Sequence, residues 1–203
     1  FIVVDPKLGQ SLAALLSAHP IKGSLSPLGL DFGQRLGQEG NISEDATFLS
    51  QRHYAQLGTR YTKTSILAKP EGASGSSGAL ATVSGDSSAK PLRWGSGFHR
   101  VKGHNFHIAK DLYLLHFGYF DLKRIEDRFK DQSRITSGWE KHIRKRSRTI
   151  RLVSTLKARD FDKTVKFARI CQSIVRPPYA WNKPAMFELK LIVRIPDRFQ
   201  NLV

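Results

Sequence analysis

The residue types that could do chemistry in this 203-residue chain are mainly histidine, lysine and arginine, and they concentrate between positions 52 and 116. Two strand-like stretches stand out, RYTKTSILAKP at 60–70 and RWGSGFHR at 93–100. The first carries Lys63, and the second carries Arg93, Trp94 and His99. A lysine supplies a point charge and an imidazole can bind a metal or move a proton. The question is which ligand needs both.

Several common kinds of site are excluded by missing motifs. The sequence has no P-loop, no G-x-G-x-x-G after a strand, no C-x-x-C pair and no G-x-S-x-G elbow. Cys171 is the single cysteine, so an internal disulfide and a thiolate zinc site are excluded. No apolar run approaches the length of a membrane span.

The charge balance predicts attraction to polyanions, because the net charge is +16. The excess lies mainly in the C-terminal third. From Lys141 to Arg176 there are twelve lysines and arginines against two acids, Asp160 and Asp162. Nucleic acid, anionic lipid and phosphorylated small molecules are the partner classes that such a balance suggests.

Residue patterns predict the elements that must position these side chains. A strand is expected at 1–6, and the four glycines of 26–40 favour a loop. The serine- and glycine-rich segment 71–92 is expected to form the tip between two strands. Further strands are expected at 62–70 and 93–101, helices at 9–19, 108–121 with a continuation to 131, 139–156 and 160–176, a strand or short helix at 45–58, and either a strand or a helix at 186–199.

Three segments in order carry a resemblance to a known family: FLSQRHYAQLGTRYTKTSILAKP, RWGSGFHR and DLYLLHFGYFD. Together they resemble the second half of bacterial family-2-like glycosyltransferases of the GT-A architecture. In that family a D-x-D-E-F strand and a glycine loop precede F-x-x-Q-R-H, K-x-x-I-x-x-P, G-x-H and L-x-H segments. The resemblance covers residues 1–121.

The resemblance implies an α/β fold, namely a partial, Rossmann-like GT-A domain with a helical C-terminal extension. Residues 1–121 would be the C-terminal half of the catalytic domain, with 71–92 as a flexible insertion, and 122–203 a basic, mainly helical extension. Phe1 would directly follow the D-x-D-E motif, so the nucleotide-binding half would lie upstream. The fragment is then expected to be inactive by itself.

The resemblance also implies a set of roles. The enzyme would move a sugar from a nucleotide-sugar donor to a saccharide or lipid-linked acceptor, with a divalent metal, Mn²⁺ or Mg²⁺. Lys63 and Arg93 would bind the donor phosphates, Trp94 would carry a sugar ring and His99 would bind the metal. Asp31 and Glu39 are both candidates for the catalytic base, because DFGQRLGQEG departs from the family's FGSxG loop.

Each of these residues also has a structural interpretation. His99 is equally consistent with a strand-end histidine bonded to a carbonyl, and Lys63 with a solvated lysine. His116 suits a satisfied core histidine as well as a ligand. Arg52 and His53 are interpreted as a polar strand end rather than a binding edge.

The basic C-terminal third leaves further alternatives open. It could be a solvated helical pair, a surface that rests on anionic membrane, or a module that binds nucleic acid, and the thin aromatic content makes nucleic acid the weaker partner. A basic binding module without catalysis is therefore the alternative function. The expected location is the cytoplasm, including the inner face of the cell membrane.

Overall fold

The computed structural model describes residues 1–18, 24–57, 65–67, 93–94, 101–102, 108–117, 120–174 and 190–202. The helices and strands of these ranges form a mixed α/β fold, which confirms the predicted class. The strands are β1 Ile2–Val4, β2 Ser24–Phe32, β3 Tyr54–Leu57, β4 Ile66–Leu67, β5 Arg93–Trp94, β6 Val101–Lys102, β7 Ile108–His116 and β8 Ile192–Arg194. The α-helices are α1 Leu12–Ala18, α2 Phe48–Gln51, α3 Leu122–Lys130, α4 Gln132–Thr136, α5 Glu140–Thr155 and α6 Phe161–Ile174.

One six-stranded sheet organises the molecule, with the order β1-β7-β2-β3-β8 and β4 paired to the start of β2. The two central strands, β2 and β7, are parallel, and the remaining pairings in this sheet are antiparallel. Because β2 and β7 run in the same direction, their carboxyl ends lie at the same edge of the sheet.

The segment predicted as a helix over 108–121 is the strand β7 over 108–116, so that prediction is wrong. The strand lies between β1 and β2. Leu112, Tyr113 and Leu115 are all buried along it. A strand covered on both faces has a nearly continuous apolar run, and such a run is easily mistaken for a helix.

The loop predicted over 26–40 is wrong in its first part, because residues 24–32 form β2. Pro27 falls where the pairing register with β7 shifts, between Ser26 and Leu28. A proline inside a sheet is tolerated at such an irregularity, since no ladder hydrogen bond from its nitrogen is required there. The rest of the segment, from Gly33 onward, is a loop as predicted.

The two stretches that carry Lys63 and His99 do not pair with each other in the part of the chain that the structure describes. The strand β4 pairs with β2, and β5 pairs with β6 in a separate two-stranded sheet. The helices predicted at 9–19, 122–131, 139–156 and 160–176 are confirmed with slightly shorter bounds.

The main core includes residues from both sides of position 121. Strand β8 adds to the edge of β3, with Val193 opposite Ala55. Phe161 of α6 packs with Tyr113 of β7 and with Phe199 near the C-terminus. A second cluster joins α3, α4 and α5. None of the helices in the described ranges is long and apolar enough to cross a membrane.

Candidate acid-base site

The central feature of the site is a carboxylate beside a histidine at the carboxyl ends of the two parallel strands. Asp31 of β2 and His116 of β7 are register partners. Their side chains are in contact, with 2.6 Å between Asp31 Oδ1 and His116 Nδ1. In open α/β sheets, ligands bind outside the carboxyl ends of the parallel strands where the strand order reverses. The pair lies at the carboxyl ends of two parallel strands, although most pairings of this sheet are antiparallel.

Helix α5 supplies the second contact of the carboxylate. The hydroxyl of the buried Thr149 donates a hydrogen bond of 3.1 Å to Asp31 Oδ2. Gly33, the residue after β2, lies beside this helix, and a Cβ added there would be 3.4 Å from the Thr149 methyl group, an ordinary contact distance. Asp31 is thus buried at 4% exposure, with a partner on each oxygen.

His116 differs from Asp31 in its access to solvent, because 30% of its side chain is exposed. A carboxylate on one ring nitrogen fixes the orientation and the tautomer of an imidazole. The arrangement of a buried Asp, a half-exposed His and a supporting Thr can therefore take up and release a proton at the histidine.

Glu39, the other candidate base, is committed to holding its own loop. Its Oε2 accepts a hydrogen bond of 2.7 Å from Arg35 N, and its Oε1 accepts one of 2.7 Å from His53 N. His53 Nδ1 is also 3.3 Å from Oε1. Because both oxygens accept backbone N–H groups, proton transfer to Glu39 would loosen the loop. The geometry favours a structural role.

The same loop is closed from the other side by Gln34. Its side-chain nitrogen donates to the carbonyl oxygens of Glu39 and Gly40, and its side-chain oxygen accepts from Leu122 N at the start of α3. Gly37 has φ +82°, a conformation that a glycine adopts without strain. The loop after Asp31 is therefore tied to α3, β3 and α5.

Arg52 is a fully buried cation near this loop. Its Nε donates to the carbonyl oxygen of Phe120 and its Nη1 donates to that of Gln51, each at 2.9 Å. Burial lowers the pKa of Arg52, while the charges of Glu39 and Asp121 raise it again in part. These contacts agree with the interpretation of Arg52 as a structural residue.

Four predicted site residues cannot be compared with this geometry. Lys63 and His99 lie outside the described residues, and for Arg93 and Trp94 the structure describes only the backbone of β5. The structure therefore leaves their predicted roles as predictions. Sequence reasoning did not find the contact of His116 with Asp31, nor the supporting Thr149.

The described residues do not provide a set of metal ligands. Asp31 and His116 are residue types that bind divalent metals, but no group of three or more His, Cys, Asp or Glu side chains comes together within the described ranges. The predicted metal site depends on His99, which is outside the described residues.

Comparison with known proteins found no relative of this chain. The chain matches no protein-family model, no curated protein and no solved structure.

Proposed function

We propose that the protein is a glycosyltransferase that moves a sugar from a nucleotide-sugar donor to an acceptor hydroxyl. The observation that carries the proposal is the contact between Asp31 and His116 at the carboxyl ends of β2 and β7. Such a pair supplies the base that an acceptor hydroxyl needs. The substrate class comes from the resemblance of residues 1–121 to GT-A glycosyltransferases.

In the proposed mechanism His116 is the base and Asp31 positions it. Asp31 accepts a hydrogen bond from the N–H at Nδ1, so the second ring nitrogen takes the proton of the acceptor hydroxyl. The acceptor oxygen forms a bond to the anomeric carbon of the sugar as the bond from that carbon to the phosphate oxygen breaks. The nucleoside diphosphate leaves with the electron pair. Thr149 keeps Asp31 in the rotamer that faces the histidine.

Residues outside this pair keep the roles implied by the resemblance. Lys63 and Arg93 would neutralise the leaving diphosphate, Trp94 would support a sugar ring and His99 would complete a site for Mn²⁺ or Mg²⁺. The proposal also requires an acidic D-x-D-E motif in the coding sequence before Phe1, and reading that sequence tests the requirement directly.

Activity measurements on variants test the proposed base. We expect the full-length protein, including any residues encoded before Phe1, to release nucleoside diphosphate from a nucleotide sugar when an acceptor is present. His116→Gln and Asp31→Asn should each lower kcat by about a hundredfold or more, the usual size of a general-base contribution, with little change in KM.

Glu39→Gln is the matched control, because it neutralises the other candidate carboxylate in the same loop. It should lower the thermal midpoint while kcat stays within a few-fold of the wild type. If no UDP-, GDP- or ADP-sugar is turned over, the proposed activity is wrong. If Glu39→Gln abolishes turnover and His116→Gln does not, the assignment of the base is wrong.

A basic helix supports a second candidate function, binding to an anionic membrane surface. One face of α5 carries five exposed cations and lies opposite the face that buries Ile143 and Ile150. Trp139, 48% exposed, directly precedes the helix, and an aromatic residue beside cations suits a membrane interface. The cations are Lys141, Arg144, Lys145, Arg148 and Arg151.

A further inference from the structure

A cleft of about 630 Å³ has four basic residues in its lining, and its lining includes neither Asp31 nor His116. Arg35 comes from the loop after β2, Lys157 and Arg159 come from the segment between α5 and α6, and Arg194 ends β8. The volume is in the range of small-molecule sites, about 300–1,000 Å³. Distant parts of the chain thus bring four cations to one concavity.

Backbone hydrogen bonds fix the main chain at two of these residues, Arg159 and Arg194. Arg159 N donates to the carbonyl oxygen of Ile192, and Arg194 N donates to the carbonyl oxygen of Arg159, so the segment that carries Arg159 is fixed along β8. Tyr54 of β3 is the register partner of Arg194. The cleft is therefore built on strands of the central sheet.

Among the residues that the structure describes, three of the four cations are not part of an ion pair. Within the described residues, Lys157, Arg159 and Arg194 form no ion pair with a carboxylate. Arg35 stacks on the Tyr54 ring at 4.6 Å, and its buried Nη1 has no hydrogen-bond partner among those residues. Converging cations that outnumber the nearby acids produce a positive potential that an anionic ligand can satisfy.

The acids that line the cleft are engaged elsewhere. Asp162 pairs with Arg198 at 2.7 Å, and Asp160 accepts the N–H of Lys163 at the start of α6. Asp197 accepts from the side chain of Gln200. The charges of these acids reduce the positive potential of the cleft. The hydrogen bonds that they accept come from groups other than the four cations.

We propose that this cleft binds a small phosphorylated molecule. Asp162 is paired with Arg198, so the four cations exceed the other two lining acids, Asp160 and Asp197, by two charges. A phosphate group carries a charge of about −1.5 to −2 at neutral pH, so one group matches that excess. Guanidinium groups suit phosphate because their planar donors bond two oxygens at once. The concave shape favours a compact ligand over a polymer. The inference rests on the cleft alone and does not depend on the transferase activity.

Calorimetric titration with tripolyphosphate tests the site, using the full chain at about 0.15 M salt, where exposed charges are screened beyond about 8 Å. We expect saturable binding of one tripolyphosphate by the wild type. Arg159→Gln combined with Arg194→Gln should weaken it about tenfold or more, because two charge-assisted contacts are lost. Both side chains are exposed, so the variant should fold.

The control variant combines Lys123→Gln with Lys166→Gln, two exposed lysines outside the cleft. It should bind tripolyphosphate as tightly as the wild type does. The site is overturned if the wild type shows no saturable binding or if the control weakens as much as the cleft variant. A single-stranded oligonucleotide of about twelve residues forms the last arm. If the wild type binds the oligonucleotide more tightly than tripolyphosphate and the cleft variant loses that binding, the ligand is a polymer. That result would overturn the small-molecule assignment.

Discussion

At the scale of single residues, two carboxylates in one stretch of sequence have different roles because their partners differ. Asp31 contacts a half-exposed histidine side chain and a threonine hydroxyl. Glu39 accepts two backbone N–H groups and closes a loop. A carboxylate that faces side chains can position a base, whereas one that holds the backbone stabilises structure. The positions of Asp31 and Glu39 in the sequence did not show which carboxylate has which role.

The contact of Thr149 with Asp31 leads to a stability prediction. Thr149→Val keeps the shape of the side chain but leaves Asp31 Oδ2 without that donor. A hydrogen bond to a charged group contributes about 1.5–3 kcal/mol, so we expect the free energy of unfolding to fall by roughly that amount. Urea unfolding of the full chain measures it.

The control for this substitution is on the same helix. The hydroxyl of the exposed Thr155 donates only to the carbonyl oxygen of Arg151. Thr155→Val should change the free energy of unfolding by no more than about 0.5 kcal/mol, as is usual for surface sites. Equal effects of the two substitutions would contradict a special role for Thr149.

Sequence reasoning found part of this site and missed the rest for a physical reason. It selected Asp31 and Glu39, and it left His116 open between a core residue and a ligand. The stretches LGLDF and LYLLHF each carry one polar residue, Asp31 or His116, directly before the last apolar residue. Had both been interpreted as parallel strands, the rule for their carboxyl ends would have placed Asp31 beside His116.

At the scale of elements, the errors fall on the two most buried strands. Periodicity separates helices from strands when one face is exposed, and neither β2 nor β7 has such a face along its full length. Amphipathic elements were predicted well. Helices α3 and α5 each bury a narrow apolar stripe, Ile125 in α3 and Ile143 and Ile150 in α5, and lie within the predicted ranges.

The cationic face of α5 leads to a prediction on membrane binding. We expect the chain to co-sediment with vesicles that contain phosphatidylglycerol and not with pure phosphatidylcholine vesicles. Each cation near an anionic surface contributes about 1 kcal/mol. Lys145→Gln combined with Arg148→Gln should therefore lower the partition coefficient about thirtyfold.

The control variant combines Lys123→Gln with Lys166→Gln. It lowers the net charge by two, as Lys145→Gln with Arg148→Gln does, but the changes lie on α3 and α6. That variant should bind anionic vesicles within a few-fold of the wild type, since its losses lie outside the α5 face. Equal losses in the two variants would mean that net charge alone drives the binding. No binding by the wild type would rule out the membrane function.

At the scale of the whole molecule, the two ends of the described chain are joined by an ion-pair network. Arg198 Nε donates to Asp5 Oδ1 at 2.9 Å, and Arg198 Nη2 donates to Asp162 Oδ1 at 2.7 Å. Lys7 lies 3.3 Å from Asp5 Oδ2. Asp5 follows β1, Asp162 lies in α6 and Arg198 follows β8. The predicted division at residue 121 gave no reason to expect this connection.

The network makes stability depend on pH through Asp5. Burial raises the pKa of Asp5, but the hydrogen bonds from Arg198 and Lys7 and the charge of Arg198 lower it more, so the net pKa is below the ordinary 3.8. The folded state therefore binds fewer protons than the unfolded state near that pH. The stability from Asp5 is fully present above pH 3.8 and is lost as the pH falls through the lower, folded pKa.

Asp5→Asn should remove this dependence on pH. At neutral pH the variant should be less stable than the wild type, by less than the roughly 3–5 kcal/mol typical of a broken buried pair, because Arg198 keeps Asp162. As the pH falls below 3.8 the wild type loses the contribution of Asp5, so the two free energies of unfolding should converge. Urea unfolding across the acid range measures both. Glu126→Gln, at an exposed position of α3, is the control and should have the same free energy of unfolding as the wild type across this range. If the difference in free energy of unfolding between Asp5→Asn and the wild type stays constant with pH, the titration of Asp5 within the network is contradicted.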